Sequence, residues 1–205
     1  MKNALQEIYD QFASTYEENR GLFDMSDILD AFYTKLELDK GQLLDLGCGA
    51  GEPVAKYFVD RHWSTVGVDF SEKMIELAAK YVPEMQSIHS NISEVEFEAN
   101  QFDAVTACYS LFHLPAKEHT DVFKKVFQWL RPKGQLLFTY ASKEYTGSEE
   151  FDGYKTFMGH DLYYSHKSPE ALYSDLEAIG FTIDATDYRD IGNEIFLWVT
   201  VSKHL

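Results

Sequence analysis

The chain has 205 residues, 45% of them hydrophobic, and a net charge of −16 from 18 basic and 34 acidic side chains. That is enough apolar material for one domain, or one domain with a cap, and the charge excludes the sequence-independent grip on DNA or RNA that needs Lys and Arg on phosphates. It also disfavours anionic membrane surfaces, no apolar run approaches a membrane span, and the Met-Lys-Asn-Ala-Leu start is not a secretory leader, so a cytoplasmic protein is expected.

Residues 3–18 place Leu5, Ile8, Tyr9, Phe12, Ala13 and Tyr16 at helical spacing. Residues 26–38 repeat the pattern with Ile28, Leu29, Phe32, Tyr33 and Leu36, and Ser26 or Asp27 is the expected cap. Residues 1–40 thus read as a helical cap on the domain.

The main signal lies in 42–53, Gln-Leu-Leu-Asp-Leu-Gly-Cys-Gly-Ala-Gly-Glu-Pro. Leu43 to Leu46 is a short apolar run of the kind found in a buried strand. Gly47, Gly49 and Gly51 follow as G-x-G-x-G, and Pro53 opens a helix where its missing N–H costs nothing. Such glycines let a ligand approach the backbone closely. The N–H groups of the helix start favour a carboxylate or phosphate. A dinucleotide fingerprint would need Gly or Ala at position 52, and Glu52 stands there.

Here the chain resembles the class I S-adenosylmethionine-dependent methyltransferases of small-molecule type, whose first motif is an acidic residue followed by G-x-G-x-G. Asp45, Gly47, Gly49 and Gly51 fill it. The resemblance implies S-adenosyl-L-methionine as cofactor and a single methyltransferase domain over 1–205. It implies an α/β fold, a Rossmann-like seven-stranded mostly parallel sheet with an antiparallel last strand and helices on both faces. Tyr9, Asp10, Ala13 and Tyr16 match the family's Y-D-x-x-A-x-x-Y entry helix. Aromatic residues of that segment close over the cofactor, which implies a contact for Tyr16.

The expected second strand, 65–69, ends in Asp69, at the place where a Rossmann-type carboxylate reaches ribose hydroxyls. A carboxylate can accept both hydrogen bonds of a cis-diol. Ser71 caps the next helix, 71–81. Phe70 and Met74 at its start either flank an adenine ring or belong to the core. A short strand near 85–89 leads to Ser90-Asn91-Ile92. The family usually has an Asp here on the adenine amino group. Asn91 keeps an accepting oxygen, and Ile92 offers a backbone N–H and an apolar face. Cys48 and Cys108 each read as a small apolar filler rather than a redox or metal group. Both positions line the cofactor in the resembling family.

Strand four, 102–108, runs into Tyr109-Ser110-Leu-Phe112-His113-Leu114-Pro115. This resembles the family's fourth motif, where the strand end opens to the substrate. His113 is the candidate catalytic base, since imidazole titrates near neutral pH. The alternative is a histidine bonded to a backbone carbonyl. A helix over 116–130 follows, Arg131 to Gly134 ends it, and strand five covers 135–140. Residues 141–168 are rich in Tyr, Phe and His and break the alternation. They read as an insertion capping the substrate site. His160, Asp161 and His166 lack a ligand spacing, so no metal is expected. Ser168-Pro169-Glu170 starts the last helix, and 181–188 and 193–203 read as two strands joined around 190–192. Such a terminal hairpin, with Glu52, argues against a nicotinamide-dependent oxidoreductase.

The implied activity is in-line methyl transfer to a small molecule, with no nucleic-acid or membrane partner. Asn91 leaves a second reading open, a non-catalytic S-adenosylmethionine-binding or regulatory protein of the same fold. No motif specifies the methyl acceptor or the oligomeric state.

Overall fold

The structure, a computed structural model, describes residues 2–19, 21 and 24–204. It divides into two compact units, Met1–Val95 and Glu96–Leu205.

The first unit begins with α1 (Lys2–Ser14) and α2 (Tyr16–Asn19). The single helix expected over 3–18 is broken at Thr15, whose hydroxyl bonds the Phe12 carbonyl at 3.3 Å. A side chain that takes a backbone acceptor competes with the helical ladder. In α3 (Ser26–Leu36) neither Ser26 nor Asp27 is the cap; Met25 holds that position, with no side-chain cap bond. Asp24, two residues before Ser26, accepts from its N–H and hydroxyl at 3.0 and 2.7 Å. The helix buries Leu29, Phe32 and Leu36.

Then β1 (Gln42–Leu46), α4 (Val54–Val59), β2 (Ser64–Asp69), α5 (Glu72–Tyr81) and β3 (Gln86–His89) alternate. The three strands pair in parallel, with Leu46 opposite Val68 and Asp69 opposite His89. Parallel neighbours need helical crossovers, which α4 and α5 supply. Leu43, Leu44 and Leu46 are fully buried, as a strand covered on both faces requires. Ser71 caps α5 as expected, accepting from the Met74 N–H at 3.1 Å.

The second unit contains β4 (Phe102–Ala107), a 3-10 turn (Leu111–His113), α6 (Ala116–Trp129) and β5 (Leu130–Tyr140). It continues with α7 (Lys143–Thr146), β6 (Phe151–Phe157), β7 (His160–His166), α8 (Pro169–Ile179), β8 (Phe181–Ile191) and β9 (Glu194–Lys203). Strand β5 starts earlier than the Arg131 to Gly134 turn signal predicts. Leu130 pairs with Phe102, and the register then jumps to Gln135 opposite Ala104. The extra residues are absorbed as a bulge, with Lys133 at φ +68 and Arg131 tied to Asp103 at 2.6 Å.

Residues 141–168 form α7 and an antiparallel hairpin, β6–β7, which makes a separate two-stranded sheet. The terminal hairpin turns at Gly192-Asn193, both at positive φ, with Ile191 opposite Glu194. That is the two-residue connection favoured between twisted strands. The other seven strands make one sheet in the order β3-β2-β1-β4-β5-β9-β8, with β9 antiparallel to both its neighbours. This is the expected Rossmann-like sheet with an antiparallel last strand.

Candidate functional site

In the first unit the glycine loop leaves β1 and is pinned to the end of β2. The N–H groups of Gly47 and Cys48 both donate to the Val68 carbonyl, at 2.7 and 3.0 Å. Gly49, at φ +52, donates its N–H to Asp69 Oδ2 at 2.9 Å. The other carboxylate oxygen, Oδ1, accepts from Ser71 N at 2.9 Å. One buried side chain, 4% exposed, therefore ties the loop to the start of α5. Burial pushes the Asp69 carboxyl up, against the N–H groups of Ser71 and Gly49, which draw it down. Burial, with Asp69 and then Asp45 nearby, raises the Cys48 thiol well above its ordinary range. Cys48 is thus an inert filler. Asp45 is itself buried in β1, opposite Gly67.

The glycines differ in what faces them. A Cβ on Gly51 would stand 2.7 Å from Val82 Cγ2, and one on Gly67 would stand 2.5 Å from Met85 Sδ. Both are closed by the core. A Cβ on Gly49 would meet nothing within 4 Å. Beside that open side stands an acid suited to hydroxyls, Asp69; further along the chain the apolar Met74 and Ile92 are buried, at 7% and 6% exposure. This donor and acceptor set fits a nucleoside with a ribose diol.

The N-terminal helices reach the same elements. The Tyr16 hydroxyl donates to Glu52 Oε2 at 3.1 Å, and its ring lies 5.5 Å from that of Tyr81. Tyr9 meets Phe70 edge-on at 5.4 Å. Asp10 Oδ1 accepts from the Ser71 hydroxyl at 2.5 Å and from Lys73 N at 3.4 Å, at the first turn of α5.

Ser90 N donates to the Asp69 carbonyl at 2.9 Å, which holds the start of the loop after β3, and with it Asn91, beside the end of β2. Asn91 Oδ1 accepts from Ser93 N at 2.9 Å and from Ser93 Oγ at 2.8 Å. A backbone N–H only donates, so the atom facing it is the oxygen. The oxygen expected to serve an adenine amino group is thus taken by a local turn, and Asn91 is left with its NH₂ to present.

In the second unit Cys108 follows β4, 8% exposed. Tyr109 sits at φ +55, and its N–H donates to Thr139 Oγ1 at 2.5 Å. His113 ends the 3-10 turn with Nδ1 2.7 Å from the Tyr163 carbonyl. Facing an oxygen, Nδ1 carries the proton, and the accepting lone pair is on Nε2. Burial pushes the imidazole down to about 4, against the raising effect of that carbonyl. The carbonyl-bonded histidine weighed as the alternative is the geometry present.

Glu194, at the start of β9, is an acidic residue the sequence pattern passes over. Its signal is the alternation Glu194, Phe196, Trp198, which puts a charge on an aromatic strand face. Among the described residues no group of three or more His, Cys, Asp or Glu is arranged for a metal, and no helix is long and apolar enough to cross a membrane.

Comparison with known proteins agrees with this geometry. Residues 43–134 match the family model described as a methyltransferase domain. The chain is 35% identical over 140 residues to a Bacillus subtilis protein named as a methyltransferase, covering 66% of this chain and 56% of that protein. It is 29% identical over 168 residues to phosphoethanolamine N-methyltransferase 1 of Triticum aestivum, covering 78% and 31%. It thus spans between just under a third and just over half of these relatives. Among solved structures, Burkholderia thailandensis 1,6-didemethyltoxoflavin-N1-methyltransferase, with bound 1,6-didemethyltoxoflavin and S-adenosylhomocysteine, matches at a TM-score of 0.68 and 20% identity, over 97% of this chain and 88% of that one. The fold is that of the S-adenosylmethionine-dependent methyltransferases. Within it, residues 43–134 carry the match to the methyltransferase-domain model.

Proposed function

We propose that this chain is an S-adenosylmethionine-dependent methyltransferase acting on a small molecule. The observation that carries the reading is the clasp between Asp69 and Gly49 at 2.9 Å, beside a glycine whose Cβ side is open. Support for a small acceptor comes from relatives named as phosphoethanolamine N-methyltransferases and from the neighbour solved with 1,6-didemethyltoxoflavin. The charge of −16 points away from nucleic acid.

S-adenosylmethionine, when bound, supplies a methyl group already activated on a sulfonium. The chain's own part is to bind, orient and exclude water. Asp69 accepts from the ribose hydroxyls with the lone pairs its two backbone partners leave. Gly47, Cys48 and Gly49 give the close backbone approach, and Asp45 supports the loop from β1. Phe70, Met74 and Ile92 supply apolar faces for the adenine, and the Asn91 NH₂ donates to a ring nitrogen. Tyr16, anchored on Glu52, covers the loop. Cys108 lines the methionine end. His113 acts as the catalytic residue by accepting a hydrogen bond at Nε2 from the methyl acceptor. With its pKa at about 4 the ring is neutral at pH 7, so it orients the nucleophile and does not itself gate the pH profile near neutrality.

Calorimetric titration with S-adenosylmethionine and S-adenosylhomocysteine, on wild type and on Asp69→Ala, tests the reading. Dissociation constants of roughly micromolar size, weakened at least tenfold in Asp69→Ala, are expected. A folded wild-type protein that binds neither compound overturns it.

A further inference from the structure

In the first unit three strands end side by side in the order β3-β2-β1, and each end carries one part of the candidate site. The glycine loop leaves β1, Asp69 closes β2, and Asn91 stands in the loop after β3. Two hydrogen bonds fix the last two ends against each other. Ser90 N donates to the Asp69 carbonyl at 2.9 Å, and His89 Nε2 donates to the Phe70 carbonyl at 2.9 Å. Neighbouring strands lie about 4.8 Å apart, a step comparable with the width of a purine. With the ribose on Asp69, a base laid outward from β2 to β3 brings its far edge to Asn91. That edge holds ring atom N1 and the group at position 6.

Asn91 is fixed in both backbone and side chain. Its carbonyl accepts from Glu94 N at 2.9 Å and Val95 N at 3.1 Å. Its Oδ1 accepts from Ser93 N at 2.9 Å and Ser93 Oγ at 2.8 Å. An amide oxygen has two lone pairs, and these two bonds use both. The side chain thus caps the turn that begins at Asn91. A cap needs only an oxygen, and an aspartate would serve it as well. What the amide adds is an NH₂ held as a donor.

Purines differ in hydrogen-bonding sense at the edge that Asn91 meets. Adenine accepts at N1, whereas a 6-oxopurine carries a hydrogen there. A donor held at N1 bonds the first and sets N–H against N–H in the second, which leaves two donors unmade. We propose that Asn91 selects the purine of the cofactor by donating to N1, with Ser93 as the positioning residue that sets the sense of the selection by holding the amide oxygen. This rests on the methyltransferase reading and adds base selectivity to its cofactor site.

The test compares three ligands by calorimetric titration. S-adenosylhomocysteine is the reference. S-inosylhomocysteine carries a 6-oxopurine, and S-(1-deazaadenosyl)homocysteine keeps the 6-amino group but has C–H in place of N1. Each is titrated into wild type, Asn91→Asp, Ser93→Ala and Ser93→Thr. Wild type should bind both analogues about 10-fold more weakly than S-adenosylhomocysteine, or worse. Asn91→Asp keeps the cap and sets an acceptor at N1, so the preference should invert and S-inosylhomocysteine should become the tighter ligand. Ser93→Ala removes one of the two bonds that hold the amide oxygen. The amide can then turn, and the preference for adenine over hypoxanthine should shrink about threefold or more, while Ser93→Thr keeps the wild-type ratio. A merely structural loss weakens all three ligands alike and leaves that ratio unmoved. Equal binding of S-adenosylhomocysteine and the 1-deaza compound by wild type overturns the proposal while S-adenosylhomocysteine binding stands. So does an Asn91→Asp protein that keeps the wild-type preference. Should Asn91→Asp not fold, an unchanged ratio in Ser93→Ala overturns the positioning role. A folded wild type that binds none of the three would instead strike the methyltransferase reading.

Discussion

Gly49→Ala separates the glycine kept for a ligand from those kept for the core. Gly49 lies at φ +52, and a Cβ there would touch nothing within 4 Å. The fold therefore bears only the cost of an L-residue in the left-handed region, about 1–2 kcal/mol. For a chain of this size that lowers Tm by roughly 2–8 °C. The added methyl enters the space where the ligand backs onto the loop, and overpacking of that kind costs about 1–3 kcal/mol. S-adenosylhomocysteine should then bind roughly 5- to 150-fold more weakly. Gly51→Ala is the contrast. At φ +84 its methyl also stands 2.7 Å from Val82 Cγ2. Strain and overpacking add to about 2–5 kcal/mol, so the loss should appear mainly in stability. Calorimetric titration and thermal unfolding on both variants read the two quantities apart. Gly49→Ala protein that binds S-adenosylhomocysteine as tightly as wild type would refute the assignment of that open side to the cofactor.

Three other outcomes follow from the geometry. Asn91→Asp keeps the acceptor for Ser93 N and Oγ but replaces the NH₂ that donates to the ring nitrogen with a second acceptor oxygen; S-adenosylhomocysteine should bind about 5- to 50-fold more weakly, and an unchanged or tighter constant would show that the amide does not donate to adenine. Burial holds His119 at about 4, below its ordinary 6.5. The folded state therefore resists its protonation, stability is full above about pH 6.5, and about 3 kcal/mol is lost as pH falls through about 4. Urea unfolding at a series of pH values should show that acid limb, and His119→Asn should flatten it. Asp10→Ala removes the acceptor for the Ser71 hydroxyl and Lys73 N–H; faster proteolysis within residues 2–19 and roughly 3- to 10-fold weaker S-adenosylhomocysteine binding are expected, and identical cleavage rates would disprove the clasp.

What was legible in the chain was whatever local chemistry dictates. Leu43 to Leu46, the glycines and Asp69 announced a strand, a turn and a carboxylate, and the structure joins them through one hydrogen bond to Gly49. Elements set by non-local pairing were less visible. Pro132 and Gly134 signal a turn, yet they lie inside β5, because Leu130 pairs with Phe102 and a bulge absorbs the surplus. The β6–β7 hairpin was masked by Tyr163, Tyr164 and Ser165, all buried, which erase the period-two alternation a half-exposed strand shows. Asn91 was legible as an amide but not in its orientation, since that depended on Ser93 two residues on. Glu194 was hidden by position. Its surroundings include Tyr109 and Tyr145, brought to it from far earlier in the chain.

Strand β8 lies outermost in the seven-stranded sheet, and most of its length is exposed. An open strand edge is a template on which further chains can add, ending in fibres. Here that edge carries Asp184, Asp187 and Asp190 with a single Arg189, which is already paired to Asp187 at 2.6 Å. A second β8 approaching it would bring aspartates against aspartates, on a molecule whose net charge is −16. The register shift between Ile183 and Ala185 also interrupts the regular ladder a newcomer would have to match. That edge of the sheet is thus guarded by like charge. Its solubility should be lost first in strong acid or high salt, where those carboxylates are neutralised or screened.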